Sequence, residues 1–242
     1  MTTTDIAQRW LRRLPKLSPY KVMEEFLPLL GDAWEAKKAL FSSSDLEDHI
    51  TNTLIVELIR RIRQAENISW SVRPQALILA ENANEAGETI GRCDLIIDLG
   101  GNREYIQECK RLWPEGKKQT FSKSARLYVQ QGLLRFLQPS EKHPTTHAQY
   151  DAWQGFAGMI GYVMDGRIPE ACVAVRESVA NYAPAQEMTE SCPAPCSAEG
   201  SLQFHSTHQD CIGKTIKAQH LFFGLPKKAP YKEKSTILPT LF

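Results

Sequence analysis

The feature that most constrains the fold is a hairpin signal in residues 91–110, GRCDLIIDLGGNREYIQECK. Residues 93–99 are apolar except for Asp94 and Asp98, and residues 104–110 alternate between polar and apolar side chains. The segment 100–102, Gly-Gly-Asn, separates them and tolerates the positive φ angles that a tight turn needs. The pattern predicts two short strands joined by a glycine turn.

The acidic residues of this hairpin need a physical reason, because burying a carboxylate without a partner is costly. Glu108 and Lys110 lie two positions apart and therefore share one face of the second strand. Asp94 joins that face only if it pairs with Glu108 directly or an even number of residues away. Direct pairing places Leu99 opposite Arg103 and leaves a three-residue loop. A two- or four-residue loop would send Asp94 to the other face, unless a bulge restored the phase.

Two carboxylates and a lysine on one face predict metal-assisted phosphate chemistry. Asp94 and Glu108 would hold Mg²⁺, or Mn²⁺ in its place, through the oxygen ligands that hard ions prefer. The ion would activate a water and neutralise charge on the phosphate, and Lys110 would orient or deprotonate that water or stabilise the pentavalent phosphate. The alternative is that Glu108 and Lys110 lie on an ordinary solvent-facing strand and that Asp94 is simply the residue at which a strand ends.

The sequence Asp94 followed by Glu108-Cys109-Lys110 on the next strand resembles the signature of the PD-(D/E)xK, or restriction-endonuclease-like, nucleases. Cys93 precedes the aspartate here where the family pattern has a dispensable proline. The resemblance implies an α/β fold, with a mixed β-sheet flanked by helices, and a metal-dependent endonuclease. Its substrate would be DNA, with RNA as the alternative. It also implies restriction or antiviral defence, and a homodimer or a helicase- or ATPase-type partner protein.

Residues 42–63 predict a helix in front of the sheet, because the polar run 42–45 is a typical helix start. Apolar residues then recur at helical spacing, which favours one buried face. The stripe predicted to be buried consists of Leu46, Ile50, Leu54, Leu58 and Ile62.

Glu47 near the centre of that stripe has two interpretations. It lies three residues after Ser44, so the pair forms a capping-box pattern at the start of the helix. It is alternatively a further carboxylate of the metal site, since the resembled nucleases often carry a glutamate on this helix. Glu57, at the edge of the stripe, is the second choice for that role.

Residues 68–81 predict a strand, which completes the helix–strand–strand–strand order that the resembled family implies.

After the hairpin the chain becomes basic around a helix predicted at 122–138, where cations would position phosphates. A solvated helix face is the alternative, and Tyr128 with Gln130 or Gln131 are further candidates for substrate contact. The basic residues are Arg111, Lys117, Lys118, Lys123, Arg126 and Arg135, of which Lys117, Lys118, Lys123 and Arg126 are the predicted nucleic-acid contacts.

The C-terminal half predicts a buried central strand at 156–164, a helix at 168–182 and a strand at 202–207. This order implies a parallel or mixed strand pair beyond the hairpin, and residues 220–223 would add an edge strand.

A competing zinc site has five candidate ligands for four places, and two histidines three apart on a strand would point to opposite faces. The alternative is a loop with incidental thiols, and His208 could instead bind phosphate. The five are Cys192, Cys196, His205, His208 and Cys211.

The whole chain of 242 residues, 42% of them hydrophobic, is divided into three segments. Residues 1–41 form a helical N-terminal extension, with a helix at 6–14, a second from Pro19 and a third segment holding Trp34 and Leu40. Residues 42–226 form the nuclease-like domain, and 227–242 form a tail rich in Lys and Pro.

The overall charge and the apolar runs limit the function further. The net charge of +1 means that nucleic-acid binding must come from a local basic surface. No apolar run has the ~18–20 residues of a membrane span, and no signal peptide is present, so we expect a cytoplasmic protein with reduced thiols. Two other classes stay open: a catalytically silent nucleic-acid-binding or assembly subunit, and a zinc-stabilised interaction module.

Overall fold

The computed structural model of the chain describes residues 18–65, 68–79, 89–100, 103–116, 118–139, 148–150, 152–190 and 196–226. Within them the chain forms an α/β fold in which a seven-stranded mixed sheet is flanked by helices. The helix predicted at 6–14 and the tail 227–242 lie outside the described residues. None of the described helices combines the length and the apolar character that are needed to cross a bilayer.

The elements follow one another in the order predicted for the first half of the chain. The helices are α1 (Pro19–Lys37), α2 (Glu47–Gln64), α3 (Ser122–Gln130) and α4 (Ile168–Tyr182), with 3₁₀ turns at Lys38–Leu40, Leu133–Phe136 and Trp153–Gly155. The strands are β1 (Ser71–Leu79), β2 (Thr89–Asp98), β3 (Glu104–Leu112), β4 (Phe156–Val163), β5 (Glu187–Thr189), β6 (Leu202–Gln209) and β7 (Thr215–Gly224).

The sheet order is β1-β2-β3-β4-β7-β6-β5. Strand β2 pairs antiparallel with both β1 and β3, whereas β4 lies parallel to both β3 and β7. The predicted edge position of residues 220–223 is therefore wrong, because β7 is central. Phe222 and Phe223 are both buried, on opposite faces, as in strands covered on both sides. The predicted strand 202–207 is present as β6 and pairs antiparallel with β7, while the parallel pair in this half of the chain is β4 with β7. No strand was predicted at the position of β5.

The register of the β2–β3 hairpin is the one that direct pairing requires. Asp98 lies opposite Glu104, and the backbone N–H of Leu99 donates to the carbonyl of Arg103 at 3.0 Å. Gly100 opens the turn with φ 74°, a conformation that glycine adopts without steric cost. The other two loop residues, 101 and 102, lie outside the described part of the chain. The paired residues end with Leu95 opposite Gln107, and one further step in the same register is Asp94 with Glu108.

Helix α1 is continuous through Trp34, so the third N-terminal segment predicted from the sequence is wrong. Ser18 caps this helix by accepting a hydrogen bond from the N–H of Lys21 at 3.2 Å, and Pro19 occupies its first turn. Trp34 stacks on Tyr162 and Phe223, at ring-centre distances of 5.9 and 4.8 Å. α1 therefore packs into the same core as the sheet.

Two hydrophobic cores lie on opposite faces of the sheet. Helices α1 and α2 cover one face, together with inward residues such as Ile97 and Cys109. Helices α3 and α4 cover the other, together with Ile96 and Ile106. Even-numbered residues of β2 and β3 face the α3 side, so Glu108 and Lys110 lie on that side, at the end of the hairpin away from its turn.

Candidate active site

The side chains of the predicted site meet at the ammonium group of Lys110. Its Nζ lies 2.7 Å from Oε1 of Glu108, 3.3 Å from Oε1 of Glu47 and 3.6 Å from Oδ2 of Asp94. It also donates to the carbonyl oxygen of Cys109 at 2.7 Å. The four residues named for catalysis from the sequence are thus brought together by elements far apart in the chain.

Asp94 and Glu108 reach this point because of the hairpin register. Asp94 additionally accepts a hydrogen bond from the backbone N–H of Cys109 at 2.8 Å, which fixes its carboxylate against β3. Both residues are buried, with 7% and 0% of their surface exposed. The two carboxylates are therefore held by backbone geometry rather than by flexible loops.

Glu47 contacts β3 instead of capping its own helix. α2 begins at Glu47, with Leu46 at the N-cap and no side-chain cap, while Asp45 accepts a hydrogen bond from the N–H of Ser42 at 2.6 Å. The Oε2 atom of Glu47 accepts from the backbone N–H of Arg111 at 2.9 Å. The capping-box interpretation is therefore wrong, because the polar run folds into a turn of its own and frees Glu47 to reach across.

The predicted stripe of α2 also needs correction at its ends. Ile50, Leu54 and Leu58 are buried, but Leu46 is 65% exposed and Ile62 is only partly buried. Glu57, the second choice for the metal site, lies elsewhere: it is buried and pairs with Arg60, Arg61 and Lys37.

Burial dominates the electrostatics of the site. It raises the pKa of Glu108 to about 7, an effect that Asp94 reinforces and that Lys110 and Arg135 oppose. It also raises the pKa of Glu47. Burial alone would lower the pKa of Lys110, but Glu108, Glu47 and Asp94 outweigh it and raise that pKa above its ordinary value. The lysine is therefore held as a cation.

Arg135 is a member of the site whose role the sequence did not predict. The helix predicted to run to 138 ends at Gln130, and Arg135 sits in the 3₁₀ turn that follows. Its Nη1 donates to Oε1 of Glu108 and to the hydroxyl of Tyr150, both at 2.7 Å. No sequence signal could have separated this arginine from its exposed basic neighbours, since the end of α3 decides where it points.

The three carboxylates are the type of ligand that a hard divalent ion prefers, although in this structure they surround the ammonium group of Lys110. The described residues contain no group of three or more His, Cys, Asp or Glu side chains that is arranged to hold an ion as it stands. However, Asp94, Glu108 and Glu47 offer only oxygen ligands, as Mg²⁺ prefers. In addition, Oε2 of Glu108 is buried without a hydrogen-bond partner in the described part of the chain. An unused buried oxygen of this kind needs a partner, and a cation would supply one.

Of the residues predicted to contact substrate, Tyr128 and Gln131 lie beside Lys110 and Arg135. Lys118, Lys123 and Arg126 are exposed, and Lys123 pairs with Glu115 at 3.1 Å. Lys117 lies outside the described residues. Tyr128 is fully buried with its hydroxyl 3.1 Å from Nδ1 of His220, and Gln130 and Gln131 are exposed.

A cleft of about 340 Å³ opens beside the site. Its walls come from the start of α2, the end of β3, the end of α3 and the 3₁₀ turn after it. Glu47, Lys110 and Arg135 belong both to these walls and to the carboxylate cluster. A molecule in the cleft would therefore touch the charged centre.

The candidate zinc ligands do not assemble among the described residues. His205 and His208 point to opposite faces of β6, as their spacing predicted, and Cys211 is exposed. His208 is buried with Nε2 2.6 Å from Oγ of Ser206, and burial lowers its pKa to about 4. It is thus a neutral core residue away from the candidate site, not a phosphate ligand. Cys192 lies outside the described residues.

Comparisons of the chain with protein-family models, with curated proteins and with solved structures find no match. The functional interpretation therefore depends on the geometry of the site and on the motif that the sequence carries.

Proposed function

We propose that this protein is a metal-dependent endonuclease of the PD-(D/E)xK kind that hydrolyses phosphodiester bonds of DNA. The observation that carries the proposal is the convergence of three carboxylates, from Asp94, Glu108 and Glu47, on the ammonium of Lys110. The order of elements supports it, because α2 is followed by three antiparallel strands, as the resembled core requires.

Each residue has a distinct part in this reaction. The carboxylates of Asp94, Glu108 and Glu47 would hold Mg²⁺ or Mn²⁺, which supplies an activated water and neutralises phosphate charge when bound. Lys110 places a cation where negative charge develops on the phosphate. Arg135 keeps Glu108 oriented through its 2.7 Å hydrogen bond. Lys118, Lys123 and Arg126 are exposed and would hold the flanking phosphates.

The biological setting follows from the resemblance alone. It is a cytoplasmic role in restriction or antiviral defence, with a homodimer or a helicase- or ATPase-type protein as partner. If the substrate is a duplex, cutting both strands needs two sites, and a second copy of the chain would supply the second one.

A second candidate is a catalytically silent subunit that binds nucleic acid. One observation favours it: Lys110 already neutralises the carboxylates, and the described residues hold no ready metal group. This candidate predicts nucleic-acid binding without metal-dependent cleavage.

The deciding experiment measures cleavage of linear, circular and single-stranded DNA and of RNA with Mg²⁺, Mn²⁺ or EDTA. We expect metal-dependent cutting that Lys110→Ala reduces by about a hundredfold or more, because it removes the cation nearest the reacting phosphate. The matched control is Lys38→Ala, whose lysine pairs with Glu35 on the surface. Cutting that survives Lys110→Ala would contradict the proposed site. Binding without cutting by the wild type would favour the silent subunit.

A further inference from the structure

The cleft beside Lys110 is small and does not match a double helix. Its volume of about 340 Å³ lies at the lower end of the ~300–1,000 Å³ typical of small-molecule sites. A pocket of this size can enclose one nucleotide, whereas a duplex would lie across its mouth. A duplex would present only backbone phosphate to the cleft, whereas a base could enter it only from an unpaired nucleotide.

One wall of the cleft carries an exposed leucine next to the carboxylates. Leu46 is 65% exposed and immediately precedes Glu47 at the start of α2. The turn capped by Asp45 holds it there. A single exposed leucine is ordinary on a protein surface and does not by itself indicate a ligand.

An indole ring in a fixed orientation lines the same cleft. The Nε1 atom of Trp113 donates to Oε1 of Glu115 at 2.5 Å, and the guanidinium carbon of Arg111 lies 5.5 Å from the indole centre. Trp113 lines the cleft together with Leu46 and the partly buried Leu127. An aromatic ring that is already oriented loses little entropy when a flat ligand stacks on it.

Cations complete the arrangement. Lys110 and Arg135 line the same cleft, and Nη1 of Arg135 and Nζ of Lys110 both lie 2.7 Å from Oε1 of Glu108. Arg111 lines the cleft as well, and Glu47 and Asp48 carry the opposite charge, so the described residues of the lining include three cationic and two acidic side chains. Apolar and aromatic surface beside this excess of cations suits a ligand with a flat apolar face and an attached anion. A nucleotide has this chemistry, since its base stacks on aromatic rings and its phosphate pairs with cations.

We infer that the cleft binds one unpaired nucleotide, with the base against Trp113 and Leu46 and the phosphate towards Lys110 and Arg135. Single-stranded nucleic acid is therefore the preferred substrate over an intact duplex. The inference deepens the proposed nuclease function and rests on it for cleavage, whereas nucleotide binding can be measured independently.

The test measures dissociation constants by fluorescence anisotropy in EDTA for a labelled single-stranded DNA, a single-stranded RNA of the same sequence and a blunt DNA duplex. We expect the single strands to bind at least about tenfold more tightly than the duplex. Trp113→Leu should weaken single-strand binding by roughly 5- to 150-fold, which corresponds to the ~1–3 kcal/mol of one base–aromatic stack. Leu46→Ala should weaken it several-fold and leave duplex binding unchanged.

The matched control is Leu40→Ala, because Leu40 is 67% exposed and lies outside the residues that line the cleft. It should leave every dissociation constant unchanged. Leu46 is exposed, so its replacement tests the cleft even if Trp113→Leu disturbs the partly buried turn. Equal binding of duplex and single strand, or equal effects of Leu46→Ala and Leu40→Ala, would overturn the inference.

The same variants separate this inference from the proposed function. Tight single-strand binding that depends on Leu46, without cleavage in Mg²⁺, would disprove the nuclease and keep the nucleotide site. Cleavage of duplex that depends on Lys110 but not on Leu46 or Trp113 would keep the nuclease and disprove the nucleotide site. The DNA and RNA arms show which sugar the cleft accepts.

Discussion

Lys110 compensates three acidic side chains in a place with little access to water. Its side chain is 14% exposed, and those of Glu108 and Asp94 are 0% and 11% exposed. Removing one partner from a buried ion cluster leaves charge without compensation, which costs more than the cluster itself contributes. The lysine therefore stabilises the fold in addition to its proposed chemical role.

Replacing Lys110 should uncover the ion-binding capacity of the carboxylates. Lys110→Met should lower the free energy of unfolding by about 3 kcal/mol in EDTA, because the carboxylates then repel one another. Millimolar Mg²⁺ should restore part of this loss, since an ion that binds only the folded state stabilises it. Urea denaturation with and without Mg²⁺ measures both effects.

Lys38→Met provides the control, because Lys38 pairs with Glu35 at the surface. It should change stability little and show no added response to Mg²⁺. A Lys110→Met protein that is indifferent to Mg²⁺ would show that Asp94, Glu108 and Glu47 do not form an ion site.

At the scale of elements, β4 packs so closely against β3 beside the site that a glycine on β4 cannot be replaced by a larger residue without a clash. Gly158 on β4 lies opposite Gln107 on β3, and a Cβ at this glycine would come within 2.1 Å of the Gln107 side chain. Gln107 is 2% exposed and adjoins Glu108, so it has little space to move. The glycine is therefore required by a close approach of β4 to β3.

Gly158→Ala should destabilise the protein by about 2 kcal/mol through overpacking. Shortening the opposing side chain relieves the contact, so Gly158→Ala combined with Gln107→Ala should lose less than the sum of the single changes. A double-mutant cycle of urea denaturation curves measures this coupling. Strict additivity would show that the two residues do not clash.

The ion pairs of Glu57, which link α1 and α2, make a pH-dependent contribution to the stability of the fold. Hydrogen bonds from Arg60 lower the pKa of Glu57 to about 2, against the opposing effect of burial, and Arg61 and Lys37 reinforce them. A carboxyl with a lowered folded-state pKa stabilises the fold above its ordinary value of 4.5. That contribution is lost as the pH falls towards 2.

Glu57→Gln should therefore reduce the free energy of unfolding by about 1–2 kcal/mol at pH 7, since it removes charge-assisted hydrogen bonds. The difference from the wild type should narrow steadily below pH 5, as the wild-type carboxyl becomes protonated. Denaturation curves at a series of pH values measure it. A difference that stays constant down to pH 3 would assign the effect to packing instead.

The sequence predicted the elements whose signals are local. The glycine turn and the period of two limited the hairpin to a few registers, and the observed register is the one that places Asp94, Glu108 and Lys110 on one face. Helix 168–182 was also predicted from the sequence, because Pro169 is typical of the first turn of a helix. These features depend on residues close together in the chain.

The predictions that failed depend on partners far along the chain. The apolar run of β7 signals burial but not which strands lie beside it, so its central position was missed. The exposure of Leu46 and the contact between Glu47 and the backbone of Arg111 follow from how the 42–45 turn meets β3. Arg135 reaches Glu108 only because α3 ends at Gln130. The secondary-structure propensity of a short segment contains no information on such long-range contacts.

At the scale of the whole molecule, the candidate site lies where the two layers of helices meet across the sheet. Glu47 arrives from α2 on one face, and Arg135 arrives from the turn after α3 on the other. The hairpin that carries Asp94, Glu108 and Lys110 lies between them. Complete assembly of both layers is therefore a condition for the full charge arrangement.

The parallel neighbours of β4 have a consequence for synthesis on the ribosome. The β2–β3 hairpin can close as soon as β3 has emerged, because its pairing is local. β4, with the apolar sequence FAGMIGYV, then waits at an open edge until β7 has been translated and can pair with it. An apolar strand with unpaired backbone groups invites pairing with other chains. A nascent chain halted between β4 and β7 is thus the form of this protein most in need of a chaperone.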